Sequence, residues 1–383
     1  MDLSEGRLTF SFPADYPTAR AQFRALAPRL QARWPAAQME AFPLSGQADL
    51  TVDGFYAPPL ETPRRLLTVT TGLHGIEGYV GATMVQLLVE EFLPRLDPRE
   101  TGLLLIHALN PWGMAQRQKT NAANVDLNRN FILEGDFPVV SNADYAALHP
   151  VFAPSRPVQR RDLGLLHFLL TLVGPLRRFS VARVQEAFLI GQYSHADGIY
   201  YGGTALQEEL QLLLRWLRPC LGRYEQVVYL DMHTGYGPRQ QMSVVHSPQE
   251  LRSDRELAAR LDYPLVVHTE PGAFYAIRGD VVDGLYSLTR SEAPRTRFYG
   301  AAFEFGTLGD SWPAKIRSMQ TMILANQLRH HGAGTAAVRA AVLRRFEALY
   351  VPTAASWRDK ALADGRRAFE GILRAEGLLA GAH

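Results

Sequence analysis

An apolar strand that breaks into glycines, followed by a helix and a second strand, most restricts what this chain can become. Leu66–Gly72 has strand character and runs into Gly-Leu-His-Gly-Ile-Glu-Gly. Tyr79–Phe92 is apolar at helical spacing, and Leu103–Ala108 is a short apolar strand closed by Asn110-Pro111-Trp112-Gly113. Strand, helix and strand with short joins mark a parallel or mixed sheet covered by helices, with a right-handed crossover. Gln226–Met232 and Tyr299–Phe305 read as further strands, and Pro264–His268 as a short one. Helical spacing runs through Tyr16–Trp34, Leu163–Leu176, Leu206–Leu217, Glu250–Leu261, Ile316–Leu328, Ala337–Leu349 and Asp359–Leu378. Phe42–Asp53 is mixed in polarity and carries turn residues. The expected organisation is one α/β core over residues 61–330. An N-terminal segment, 1–60, packs on it, and C-terminal helices occupy 331–383.

Of the 383 residues, 47% are hydrophobic and 20% charged, the balance of a folded globular chain rather than a disordered one. Lys+Arg 40 against Asp+Glu 38 leaves a formal charge of +2 with no basic tract, so nucleic acid is not an expected partner. The single cysteine, Cys220, rules out an intramolecular disulfide and multi-cysteine zinc sites. The first residues lack the apolar core of a signal peptide, and the longest greasy stretch, Leu163–Val173, is too short to span a bilayer. A soluble cytoplasmic protein without a membrane partner is the expectation.

Four polar pieces share one placement, at the end of a strand or in the loop just beyond it: His74-Gly75-Ile76-Glu77, Asp126-Leu127-Asn128-Arg129-Asn130-Phe131, Asp231-Met232-His233-Thr234-Gly235 and Phe303-Glu304-Phe305-Gly306. In open α/β sheets, ligands bind outside the carboxyl ends of the strands. A spacing of three puts His74 and Glu77 on one side of a first helical turn or tight loop. Two histidines and one glutamate form a catalytic zinc set, and His233 supplies the second imidazole. Taken alone, His233 could instead orient its loop through Asp231. Glu304 points opposite to Phe303 and Phe305 by strand alternation. Beside a metal it can accept a proton from water and return it to a leaving amine; otherwise it is a strand-end anchor.

Arg129 can grip a carboxylate bidentately, with Asn128 adding an amide donor; the plainer role is pinning the loop to Asp126. Arg117 or Lys119 could hold an oxyanion. His107 reads as a buried structural histidine, and His195 lies in a glycine- and tyrosine-rich loop suited to a pocket rim. Neither a Gly-x-Ser-x-Gly elbow nor a phosphate-binding glycine loop is present.

The segments GLHGIEG, NPWG, NVDLNRNF, DMHTGYG and FEFGT, spread over about residues 60–310, resemble a mostly bacterial branch of the zinc carboxypeptidase superfamily, related to the succinylglutamate desuccinylase/aspartoacylase group. The resemblance implies a mixed, mostly parallel sheet of about eight strands between helices. It implies one Zn2+ per chain on His74, Glu77 and His233, Glu304 as general base, and Asn128 with Arg129 as a carboxylate clamp. Arg117 takes the place of the carbonyl-polarising arginine, with Gln118 and Lys119 as alternative alignments. Tyr275 and Tyr286 are both candidates for the mobile phenol. The function implied is a zinc-dependent metallocarboxypeptidase acting on short peptides. Alternatives are an N-acyl amino acid deacylase and a zinc-retaining binding protein without catalysis. The expected partner is the short peptide or N-acyl amino acid, and a homo-oligomer is compatible with the chain.

Overall fold

The structure, a computed structural model, describes residues 10–133, 137, 142–269 and 278–379. Eight strands form one mixed sheet: β1 (Gln38–Leu44), β2 (Gln47–Ala57), β3 (Arg65–Thr71), β4 (Thr101–His107), β5 (Gln226–Gly235), β6 (Met242–His246), β7 (Val266–His268) and β8 (Arg297–Gly306), in the order β1-β2-β4-β3-β5-β8-β6-β7. The central β4, β3, β5 and β8 are mutually parallel. The β1–β2 hairpin and β6 run antiparallel to their neighbours, and β7 is parallel to β6. The eight-stranded α/β expectation therefore holds.

Burial on both faces explains why the central strands read as continuous apolar runs. Val228, Leu230 and Met232 of β5 pack into one core layer, under the helices Gly78–Leu87 and Ala355–Ala375. Val227 and Tyr229 enter the opposite layer, under Glu208–Leu217 and Val281–Glu292. In β8, Phe303 and Phe305 belong to the first layer, with Phe303 packed at a tilt against Phe369, 4.9 Å between ring centroids. A third apolar cluster, built on helices such as Leu165–Leu176, Val181–Leu189, Trp312–His331 and Ala336–Tyr350, completes the core.

The organisation differs from the expected one at both ends. Residues 38–57 are not a segment laid on the core: β2 pairs with β4, so the boundary at residue 60 falls inside the sheet. The helix Ala355–Ala375 is likewise part of the first core layer through Trp357, Phe369 and Ile372. Among the described residues no single helix is long and apolar enough to cross a membrane.

From β3 the chain moves to β4 on one side, while β5 pairs with β3 on the other. The strand order thus reverses beside β3, where ligands of open α/β sheets bind. Two close contacts shape that edge. Gly72 has φ 68°, the left-handed region that glycine enters without a Cβ penalty. A Cβ on Gly75 would lie 2.1 Å from the carbonyl carbon of Gly113, so the GLHGIEG turn and the NPWG helix need glycine at their contact.

Candidate metal centre

His74 leaves β3 and precedes a single 3₁₀ turn, Gly75–Glu77, whose last residue is Glu77. The turn returns the carboxylate to the imidazole, with Nδ1 of His74 3.0 Å from Oε1 of Glu77. His233, near the end of β5, brings its Nδ1 to 3.1 Å from Oε2 of Glu77 and 3.2 Å from Nδ1 of His74. All three side chains are buried. The two Nδ1 atoms and the Glu77 carboxylate, which turns one oxygen to each ring, form a triangle with contacts of 3.0–3.2 Å. A tetrahedral zinc with bonds of about 2.0–2.1 Å holds its ligands roughly 3.3 Å apart, so the triangle fits such an ion after small movements.

The far nitrogens of both rings strengthen the case. Nε2 of His74 lies 3.1 Å from Oδ1 of Asp126, and Nε2 of His233 lies 2.9 Å from Oδ2 of Asp231. A carboxylate behind an imidazole fixes its tautomer and raises its basicity toward a metal. Both aspartates are themselves held: the Thr70 hydroxyl donates to Asp231 at 2.8 Å, and the Asn128 backbone N–H donates to Asp126 at 2.9 Å. The Thr234 N–H donates to Glu77 at 3.0 Å.

The electrostatics favour a cation at the centre. Burial raises the Glu77 pKa, but His74 and His233 outweigh it and hold the carboxyl well below the usual range. Burial opposes charge on His233, yet Asp231 and Glu77 raise its pKa overall. Burial also works against Asp126, and Lys119 and His74 override it downward. Glu304 behaves differently: burial, then the Glu77 charge, push it up to about 7. Its Oε1 accepts a hydrogen bond from the Tyr236 N–H at 3.0 Å.

These groups open onto a cavity of about 470 Å³. His74, Lys119, Arg129, His233 and Glu304 give it a polar side. Leu172, Val184, Phe188, Ile316 and Met319 give it an apolar one. Tyr200 and Tyr236 also line it, and their hydroxyls share a hydrogen bond.

Residues 12–364 match the family described as protein of unknown function (DUF2817). The chain belongs to the DUF2817 family. No curated protein matches it. It is similar to solved structures of carboxypeptidase A from Helicoverpa armigera (15% identity, 90% of this chain and 76% of that one, TM-score 0.45) and of bovine thrombin-activatable fibrinolysis inhibitor (13% identity, 85% and 96%, TM-score 0.44). A succinylglutamate desuccinylase from Silicibacter sp. TM1040 is also similar (14% identity, 78% and 68%, TM-score 0.36).

In this DUF2817 chain, His74, Glu77, His233, Glu304, Lys119, Asn128 and Arg129 all reach the neighbourhood of one cavity. Arg117 does not. Its guanidinium pairs with Glu347 and the Ala14 carbonyl and lies over the Tyr79 ring, 4.9 Å from the centroid. Gln118 and Lys119 run alongside the metal-site turn, their carbonyls accepting from Ile76 and Gly75, and it is Lys119 that turns inward. The Lys119 ammonium nitrogen lies 3.1 Å from Asp126 and touches Nε2 of His74. Burial lowers its pKa, against the opposing pull of Asp126 and Glu77.

Asn128 is at the cavity wall, but its amide donates to Asp280 at 2.9 Å and its carbonyl oxygen accepts from the Val281 N–H. It therefore ties two loops together, with one of its two amide N–H donors committed to Asp280. Arg129 donates to the carbonyls of Leu189 (2.7 Å) and Asn128 (3.1 Å), stands over the Tyr200 ring, and among the described residues its buried Nε has no partner. Tyr286 is not at the cavity: its hydroxyl accepts from the Gly300 N–H and contacts Glu250, behind β8. Tyr275 lies outside the described residues.

The sequence reading missed Tyr236, three residues beyond His233, and Tyr200 as a lining residue, although the Gly/Tyr loop was expected to rim a pocket. Asp126, considered there only as an alternative partner for Arg129, stands behind His74. A visible signal existed for Asp231, since residues two apart on a strand share a face. Away from the cavity, His149 and His195 stack at 3.9 Å beside Asp197.

Proposed function

We propose that this chain is a zinc-dependent hydrolase that cleaves an amide bond next to a free carboxylate, acting as a metallocarboxypeptidase on short peptides. The observation that carries the proposal is the triangle of His74, Glu77 and His233 with a buried aspartate behind each imidazole. A zinc ion there would supply Lewis acidity toward water and the scissile carbonyl.

The chain's own groups account for the remaining tasks. Glu304, half-buried on the cavity lining and close to neutral pKa, accepts the proton of the attacking water and delivers it to the departing amine nitrogen. Lys119 supplies positive charge on the same side of the cavity, where oxyanion character develops. Arg129 receives the substrate carboxylate through Nε and through whichever guanidinium N–H releases its carbonyl partner. The apolar wall takes the terminal side chain and keeps water from it.

A second use of the same centre is deacylation of an N-acyl amino acid. The apolar wall favours it, because the helices Leu165–Leu176 and Trp312–His331 line the cavity with hydrocarbon well suited to an acyl chain. A panel of short peptides and N-acyl amino acids, assayed with and without chelator, separates the two. Chelator-sensitive release of C-terminal residues supports the peptidase. Release of acid from acyl amino acids alone supports the deacylase. Metal retention with no turnover on either panel leaves a zinc-binding protein and overturns the hydrolase.

A further inference from the structure

We propose that the hairpin of the helices Leu165–Leu176 and Val181–Leu189 is a docking surface for an anionic lipid bilayer, lying on the membrane rather than crossing it. The first helix is divided between two tasks. Leu172 and Leu176 line the cavity, whereas Leu166, Leu170 and Val173 form an outward stripe at helical spacing. That stripe is open to solvent, with Leu166 72% and Leu170 61% exposed. A contiguous exposed apolar face is a mark of an interaction site. Trp312, 56% exposed at the start of the helix Trp312–His331, lines the mouth of the same cavity. Trp is a side chain of membrane–water interfaces.

Charge identifies the partner. Arg160 and Arg161 precede the apolar helix, and Arg177 and Arg178 follow it; all four are exposed. Among the described residues, Arg160, Arg177 and Arg178 have no carboxylate within ion-pair distance. From Leu163 to Gln185 the sequence holds no acidic residue. The acids that meet these helices are already engaged, Asp162 with Arg156 and His167 and Asp144 with Arg183, and Glu186 lies on the second helix and Asp310 on the cavity lining. An apolar stripe bracketed by arginine pairs matches a hydrocarbon surface fringed by anionic headgroups.

It matches a second copy of this chain poorly. A two-fold contact through the stripe, with the helices parallel or antiparallel, would set arginine pair against arginine pair. The 12-residue helix is about 18 Å long at 1.5 Å per residue, and it meets its neighbour at 104°, so neither helix crosses a hydrocarbon core of about 30 Å. Docking also brings the cavity mouth beside the lipid, where a substrate bearing an apolar chain would enter. The proposal itself stands without the hydrolase assignment.

Sedimentation of the full chain with phosphatidylcholine vesicles, with and without phosphatidylglycerol, tests it. Binding is expected to the phosphatidylglycerol-containing vesicles and to fall as salt is added. Leu166→Asp with Leu170→Asp should weaken it at least about tenfold, with the thermal melt unchanged because both side chains are exposed. Arg177→Gln with Arg178→Gln, which leaves the apolar stripe intact, should weaken the preference for phosphatidylglycerol. Equal absence of binding to both vesicles, or unchanged binding by either double variant, overturns the proposal. So does a dimer in solution that the leucine variant dissociates while neither form sediments with vesicles.

Discussion

His233 and Glu304 are register partners on the adjacent parallel strands β5 and β8. Partners in a sheet share a face, so the imidazole and the carboxylate emerge side by side at one sheet edge. The flanking Met232, Phe303 and Phe305 point into the opposite core layer. One hydrophobic alternation thus orients both a metal ligand and a proton acceptor.

Replacing Glu304 by Gln keeps the shape and removes the titrating oxygen. Turnover of any substrate found in the peptide and acyl amino acid panels should fall by at least about 100-fold, with zinc content unchanged. Parallel assays of rate and bound metal check this. Undiminished turnover would remove Glu304 from proton transfer.

In the chelator-treated chain, Glu304 should make stability depend on pH. Its unfolded pKa is near 4.5, and in the folded chain it rises to about 7. Below pH 4.5 both states hold the proton and the group contributes nothing. As pH rises from 4.5 to 7 only the unfolded state releases it, so stability falls, and above 7 the full cost is present. Glu304→Gln lacks this cost. Thermal melts should show the variant gaining on the parent as pH rises and the two converging at acid pH; a pH-independent difference would contradict the burial account.

Asp231→Asn and Asp126→Asn should each weaken zinc binding by about 10- to 100-fold while leaving the three ligands in place. Competition with a chromogenic chelator measures this. Affinities equal to the parent's would mean that the aspartates only fasten loops.

Lys119→Met and Arg117→Met separate two neighbouring cations. Lys119 lines the cavity, so kcat should drop with metal still bound. Arg117 pairs with Glu347 away from the cavity, so kcat should hold and stability should change by about 1 kcal/mol or less. Rate measurements on both variants decide, and the reverse pattern would restore Arg117 to the site.

The legible parts of this chain were those where one pattern admits few structures. β3 and β5 are buried on both faces and β8 on one, and all three end in polar clusters, so their apolar runs and their carboxyl ends could be recognised together. His74, Glu77, His233 and Glu304 sit on those ends or one turn beyond, where spacing determines direction. β1 was not legible, because an edge strand with most of its residues exposed shows no apolar run. The helix Val281–Glu292 went unrecognised, with Gly284 and several polar residues diluting its apolar stripe. Which of Arg117 and Lys119 faces the cavity depends on loop backbone; Arg117 has φ 50°, a left-handed turn that local sequence does not announce. Asn128 was recognisable as a polar loop residue, but its commitment to Asp280 joins positions 152 residues apart.

Elemental analysis of the purified chain, alongside His233→Ala, tests the central claim most directly. The account predicts one zinc per chain in the parent and its loss in the variant. A parent that hydrolyses substrate without stoichiometric metal, or a His233→Ala chain that keeps the same zinc, would contradict it.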